Sequence, residues 1–168
     1  MASGDPVVQI IREQGPTTLF APFVQRTGGS TPAELGGVWK FDAATDWYKD
    51  FLCMLRGYDG GGLTFLLPWS AESATTNSTR WGIAIRRFAD DAEDVDAAHT
   101  YDFNDVDDTA PSASGELSYP TITFTNGADM DSWVEGELAI VRVRRGASHG
   151  NDNMAGNAEL WDVSATET

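Results

Sequence analysis

The feature that most narrows the fold is a pattern that recurs along the chain. Short runs of β-forming residues alternate with a period of two, and each is closed by Gly, Pro or a polar cluster. "TRWGIAIRRF" sets Trp81, Ile83 and Ile85 on one face, with Arg80, Arg86 and small residues on the other. "ELAIVRVRR" sets Leu138 and Ile140 against Val141 and Val143. "GVWKFDA", "LTFLLPWSA", "YPTITFT" and "AELWDVSAT" read the same way. About seven to nine short strands are predicted, with no full-length amphipathic helix, which is the pattern of an all-β sandwich or barrel. "DWYKDFLCMLRGY" has two readings, because Trp47, Phe51 and Leu55 also fall at helical spacing.

Residues 1–35 differ from the rest. Their apolar bursts, at Val7–Ile11 and Leu19–Val24, are broken by Pro6, Pro16, Pro22, Pro32 and the Gly28-Gly29 pair. They read as an extended N-terminal arm ahead of a sandwich domain at 36–168. Such an arm, carrying Phe20 and Phe23, buries little alone, so it is expected to lie on this body or on a neighbouring subunit.

Composition excludes several classes of function. The 168-residue chain has six Trp, eight Phe and a net charge of −15. It is long and aromatic enough for one buried core. It is also too acidic for nucleic acid to be expected as a direct partner. No apolar run approaches the roughly 18 residues of a membrane span, and "MASGDPVVQI" lacks the features of an export signal. The expectation is a soluble protein with no membrane contact. Cys53, the single cysteine, lies in an apolar run and reads as a small buried hydrophobe. No G-x-S-x-G, P-loop or metal-ligand spacing occurs, and both histidines, His99 and His149, fall in polar loops. No catalytic residue, metal ligand or cofactor is therefore assigned.

Two acidic or polar segments resemble ion sites. "ADDAEDVDAAHTYDFNDVDDTAPSASGE", residues 89–116, reads as a long solvated loop with one short strand at Tyr101–Phe103. Its clustered carboxylates leave cation binding as the other reading. "GNDNMAGNAELWD" places Asn151, Asn153, Gly156 and Asp162 at calcium-loop positions, but Ala155 stands at a ligand position and Asn151 is neutral. It reads instead as a turn that sets the register of the last strand.

Six arginines, Arg80, Arg86, Arg87, Arg142, Arg144 and Arg145, lie in two predicted strands, with Arg142 and Arg144 on one face. Pairing with the chain's own carboxylates is one reading. A local positive face for an acidic partner is the other.

Three ordered stretches carry a resemblance: "GGVWKFDAATDWYKDF", "GGGLTFLLPWSAESATTNSTRWGIAI" and "VRVRRGASHGNDNMAGNAELWDVSAT". Together, over residues 36–168, they resemble small tailed-phage virion structural proteins. The resemblance implies a jelly-roll-like β-sandwich and a capsid decoration (cement) protein that stabilises the lattice. It would be made in the host cytoplasm and carried on the virion surface. The implied partners are the major capsid protein and further copies of the chain in a homotrimer. Phe20, Phe23, Arg26, Arg142 and Arg144 are the expected contact residues. Carbohydrate or receptor binding through exposed tryptophans (Trp39, Trp47, Trp69, Trp81, Trp133, Trp161), or a tail accessory role, stands as the alternative. The competing expectation for these tryptophans is that they fill the core.

Overall fold

The computed structural model describes residues 4–29 and 31–168. In chain order its strands are β1 (Val8–Gln14), β2 (Phe23–Gly28), β3 (Glu34–Phe41), β4 (Trp47–Leu55), β5 (Leu63–Leu66), β6 (Trp69–Ala71) and β7 (Ser78–Phe88). They continue as β8 (Asn104–Thr109), β9 (Leu117–Ser118), β10 (Thr121–Phe124), β11 (Leu138–Arg145), β12 (Ala158–Leu160) and β13 (Ser164–Glu167). A single 3-10 turn at Ala128–Met130 is the only helical element among the described residues.

The strands form an all-β sandwich. Its front layer has the order β1-β4-β11-β7-β8, and its back layer the order β2-β3-β12-β6-β9. Three back-layer strands bend together and run on as the small sheet β10-β5-β13. The bend falls at Pro68, at Pro120 and at Trp161–Val163, where proline cannot donate to a ladder. Single hydrogen bonds cross it, from Leu67 N to the Pro120 carbonyl (3.0 Å) and from Trp161 N to the Pro68 carbonyl (2.9 Å). The bend splits three strands in two and so accounts for three of the thirteen segments; the sequence predicts about seven to nine strands. In both layers the strand at the centre, β11 or β12, comes late in the chain.

The extended N-terminal segment lies on this body. β1 pairs antiparallel with β4, and β2 with β3, so each layer gains an edge strand. "DWYKDFLCML" is a strand, since its ladder with β11 runs unbroken from Trp47 to Met54. Within the acidic segment the expected strand at Tyr101–Phe103 is corrected to Asn104–Thr109. There Asp105 and Asp107 stand opposite Gly82 and Arg80, and Val106 turns inward to Trp81.

The period-two pattern decides what is buried. β11 alternates strictly, with Ala139, Val141, Val143 and Arg145 inward. Phe51, Leu55 and Ile83 meet Phe41, Phe65 and Leu160 across the layers in one continuous core. Edge-to-face ring pairs knit it together: Phe41–Trp81 at 5.1 Å, Trp39–Phe51 at 5.2 Å and Trp69–Trp81 at 5.8 Å. Each such pair adds about 0.5–1.5 kcal/mol beyond its buried area. Trp81 joins two of them and is fully buried, so its truncation would cost about 3–5 kcal/mol. Trp39, Trp69, Trp81 and Trp133 are core residues, whereas Trp47 and Trp161 are only half-buried. Cys53 is buried as expected, and burial pushes its thiol up to about 12.

Candidate binding surface

The five residues expected to form a contact fall in three places. Arg142 and Arg144 lie on the outer face of the front layer, each engaged within the chain. The Arg142 guanidinium grips Asp50 through two hydrogen bonds of 2.7 Å. Arg144 donates to both oxygens of Asp105 at 3.1 and 3.0 Å, and Arg80 bridges Asp105 and Asp107. The segment 89–103 lies across the same face. Tyr101 stacks on Arg142 and Phe103 on Arg144, both at 3.9 Å, while Arg86 donates to the carbonyls of Asp94 and Ala97. Burial is the main cause that holds the Tyr101 phenol above its ordinary range. His99 packs edge-on against Tyr101 at 4.9 Å.

Phe20 and Phe23 lie together on one edge of the sandwich and are 51% and 62% exposed. Leu19, Phe20, Pro22 and Trp47 line a shallow apolar groove there. Phe23 rests on Trp39 at 5.9 Å, over Gly37, where a Cβ would collide with its ring. Lys49 sits behind them, over the Trp39 and Phe51 rings, and pairs with Glu13 at 3.3 Å.

Arg26 lies on the outer face of the back layer, where the sequence reading singled out no cluster. It pairs with Glu159 and donates to Ser114 Oγ at 3.0 Å. Glu159 also accepts from Ser70 Oγ at 3.1 Å, and Ser70 accepts from the Trp161 indole N–H at 2.9 Å. This chain of bonds fixes the indole, and its benzo edge lies on Gly36, where no Cβ would fit. Trp161, Arg26, Glu34, Leu35 and Gly36 line a groove of about 260 Å³. Beside it Lys40 pairs with Glu72, which also accepts from Asn157 at 2.7 Å. The Lys40 hydrogen bond is the largest cause that holds Glu72 below its ordinary range. The signal that could have found this face is the strand period, which sets Arg26, Gly36, Lys40, Glu159 and Ser70 outward once the register is known.

The loop that matched calcium-loop positions is closed by the protein's own groups. In the loop after β11, fully buried Arg145 grips Asp152 at 2.9 and 2.8 Å. It also donates to the carbonyls of Gly156 (2.7 Å) and Met154 (2.8 Å). Asp152 accepts as well from Thr79 Oγ1 and Arg80 N, both at 3.0 Å. The cation of this loop is a guanidinium, and its key carboxylate, Asp152, was not among the template positions. Asn151 reaches Asp107 instead, and Asn153 accepts from Ser78 N at 2.9 Å. The Gly-rich turn at 57–62 likewise forms an anion nest, filled by Glu167. Its Oε1 accepts from the amides of Asp59, Gly60 and Gly61 at 3.1, 2.9 and 2.8 Å. Among the described residues no three or more His, Cys, Asp or Glu side chains gather to hold a metal, and neither histidine hydrogen-bonds a hydroxyl or thiol.

No protein-family model matches the chain, and no curated protein matches it. Similar solved structures include TmCBM61 in complex with β-1,4-galactotriose, at 12% identity and a TM-score of 0.40, covering 94% of this chain and 88% of that one. Another is the family 11 carbohydrate-binding module from Clostridium thermocellum in complex with a β-1,3-1,4-mixed-linked tetrasaccharide. It is 12% identical with a TM-score of 0.39, covering 97% of this chain and 96% of that one.

Proposed function

We propose that this chain is a non-catalytic binding module whose ligand is a neutral oligosaccharide, held in the back-layer groove beside Trp161. The observation that carries this reading is the fixed, half-buried indole of Trp161 beside the charged side chains of Arg26 and Glu34. Sugar rings present apolar C–H faces that stack on an indole and hydroxyls that need paired donors and acceptors. Arg26 donates and Glu34 accepts, and Gly36 leaves the room in which the indole itself is seated. The charge of −15 disfavours an acidic polysaccharide. A glycan array followed by tryptophan-fluorescence titration tests this. Saturable quenching by a neutral glycan is expected, lost in Trp161→Ala. Absence of any glycan response, or equal binding by that variant, overturns it.

The exposed edge supports a second reading, capsid decoration as a homotrimer. Leu19, Phe20 and Phe23 expose apolar surface of the kind that interfaces cover. Under this reading Phe20→Asp and Phe23→Asp abolish binding to undecorated capsids and trimer formation in sedimentation, with thermal stability unchanged. Unaltered capsid binding by both variants rejects it.

A further inference from the structure

Eleven side chains, Lys and Arg together, carry the positive charge of this protein. Among the described residues ten of them are engaged by carboxylates, amides or carbonyls of the chain. Arg12 alone has neither an ion pair nor a side-chain hydrogen bond. In a chain of net charge −15, a guanidinium that makes no ion pair, while the adjacent Glu13 pairs with Lys49, stands out.

Its surroundings supply one. The segment 89–103 covers only part of the front layer's outer face, and a groove of about 350 Å³ stays open beside it. That size is at the small end of ligand pockets, which run to roughly 300–1,000 Å³. Leu52, Leu138 and Ile140 form the floor, Phe88 and Val95 the far wall, and Arg12 lines the near end. The register puts Arg12, Leu52 and Ile140 in one row across β1, β4 and β11, because Arg12 stands opposite Leu52 and Leu52 opposite Ile140. Two to three strand spacings, roughly 10–14 Å, therefore separate the cation from the far wall. Val95 is 67% exposed, so the wall presents apolar surface to solvent.

We infer that this groove binds a small amphipathic carboxylate, with its anionic head on Arg12 and a linear hydrocarbon chain along Leu52 and Ile140 toward Phe88. The head belongs at the β1 end, since Asp94 and Asp96 flank Val95 at the other. Gln14 also lines the near end, the floor is apolar, and the groove lies on the opposite layer from Trp161, so this site is independent of the Trp161 groove.

The probe is octanoate below its micelle threshold, titrated by calorimetry and by amide NMR shifts at about 0.15 M salt, where surface repulsion is screened beyond roughly 8 Å. Saturable binding is expected, with shifts confined to β1, β4, β11 and residues 88–95. Arg12→Gln should weaken it about tenfold, the worth of one charge-assisted hydrogen bond, and octanol should bind the native protein as weakly. Ile140→Asn should abolish binding, and both variants should keep the native melting temperature. Equal affinity for octanol and octanoate, an unchanged Arg12→Gln variant, or no saturable binding overturns the inference. So does a concentration-dependent dimer that buries these residues, which would make the groove a contact between copies.

Discussion

Arg145 and Asp152 form a bidentate ion pair across seven residues of chain, with both side chains essentially removed from solvent. The pair holds the turn between β11 and β12 from inside, and two further donors of Arg145 are taken by the carbonyls of Met154 and Gly156. The polar loop is therefore tied to the end of β11.

Removing either partner strands a buried charge. Arg145→Ala or Asp152→Asn should lower unfolding free energy by about 3–5 kcal/mol in urea titrations, and a loss under about 1 kcal/mol would refute a structural role. The vacated space in Arg145→Ala is ringed by the Asp152 carboxylate, two carbonyls and the Thr79 hydroxyl, a set of oxygen ligands that suits a hard cation. Millimolar calcium should raise the melting temperature of that variant and leave the native protein unaffected.

Gly36→Ala should push Trp161 off its seat, because a Cβ there meets the benzo edge of the indole. The expected result is a red-shifted tryptophan emission, a stability loss of about 1–3 kcal/mol, and weaker glycan binding. Emission and binding identical to the native protein would remove the groove's claim to a fixed platform.

Burial raises the Cys53 thiol from 9.0 to about 12, so the native state resists deprotonation that the unfolded chain undergoes. Its contribution to stability is complete below pH 9.0 and is lost as pH climbs toward about 12. Stability should thus fall more steeply in that window for the native protein than for Cys53→Ala. A disulfide reagent at pH 8 should label the thiol only after denaturation, and fast labelling of the folded protein would contradict the burial.

Acid should destabilise the fold. Asp42, capping its turn through the amides of Ala44 and Thr45, is held below 3.8, chiefly by the Ala44 hydrogen bond. Glu72, on Lys40, and Glu135, on the amides of Gly57 and Tyr58, are held below 4.5. Folded-state values depressed in this way give stability that is present above about pH 4.5 and lost as pH falls below it. Melting temperatures that hold constant from pH 6 down to pH 3 would exclude this linkage.

The strands of the sandwich were legible where one face is apolar. β11 and β7 show their alternation in bare sequence because Val141, Val143, Ile83 and Ile85 face a core. β8 was hidden for the opposite reason. Its one inward apolar residue is Val106, Asp108 turns to the Trp69 indole, and Asp105 and Asp107 answer arginines on other strands, Arg80 and Arg144, which no local pattern reveals. Pairing within the chain was one of two readings for the arginines, and Arg142, Arg144 and Arg145 do pair in this way, but their partners depend on register. Which tryptophans reach the surface was also illegible, because Trp161 sits at a strand bend where the period of two is interrupted. The same holds for the Trp161 groove, whose residues come from β2, β3 and the segment after β12 and meet only in three dimensions.

The late position of the two central strands has a consequence in time. β1 with β4, and β7 with β8, can pair early, yet they stay two separate ribbons until β11 slides between them. β12 must do the same between β3 and β6. Folding is therefore expected to be slow, on the order of milliseconds to seconds, because distant segments must meet before either layer closes. Until that moment β4, β7, β3 and β6 each present a bare edge that another molecule can pair with. Crowding during synthesis or refolding is the condition under which this protein is most exposed to aggregation.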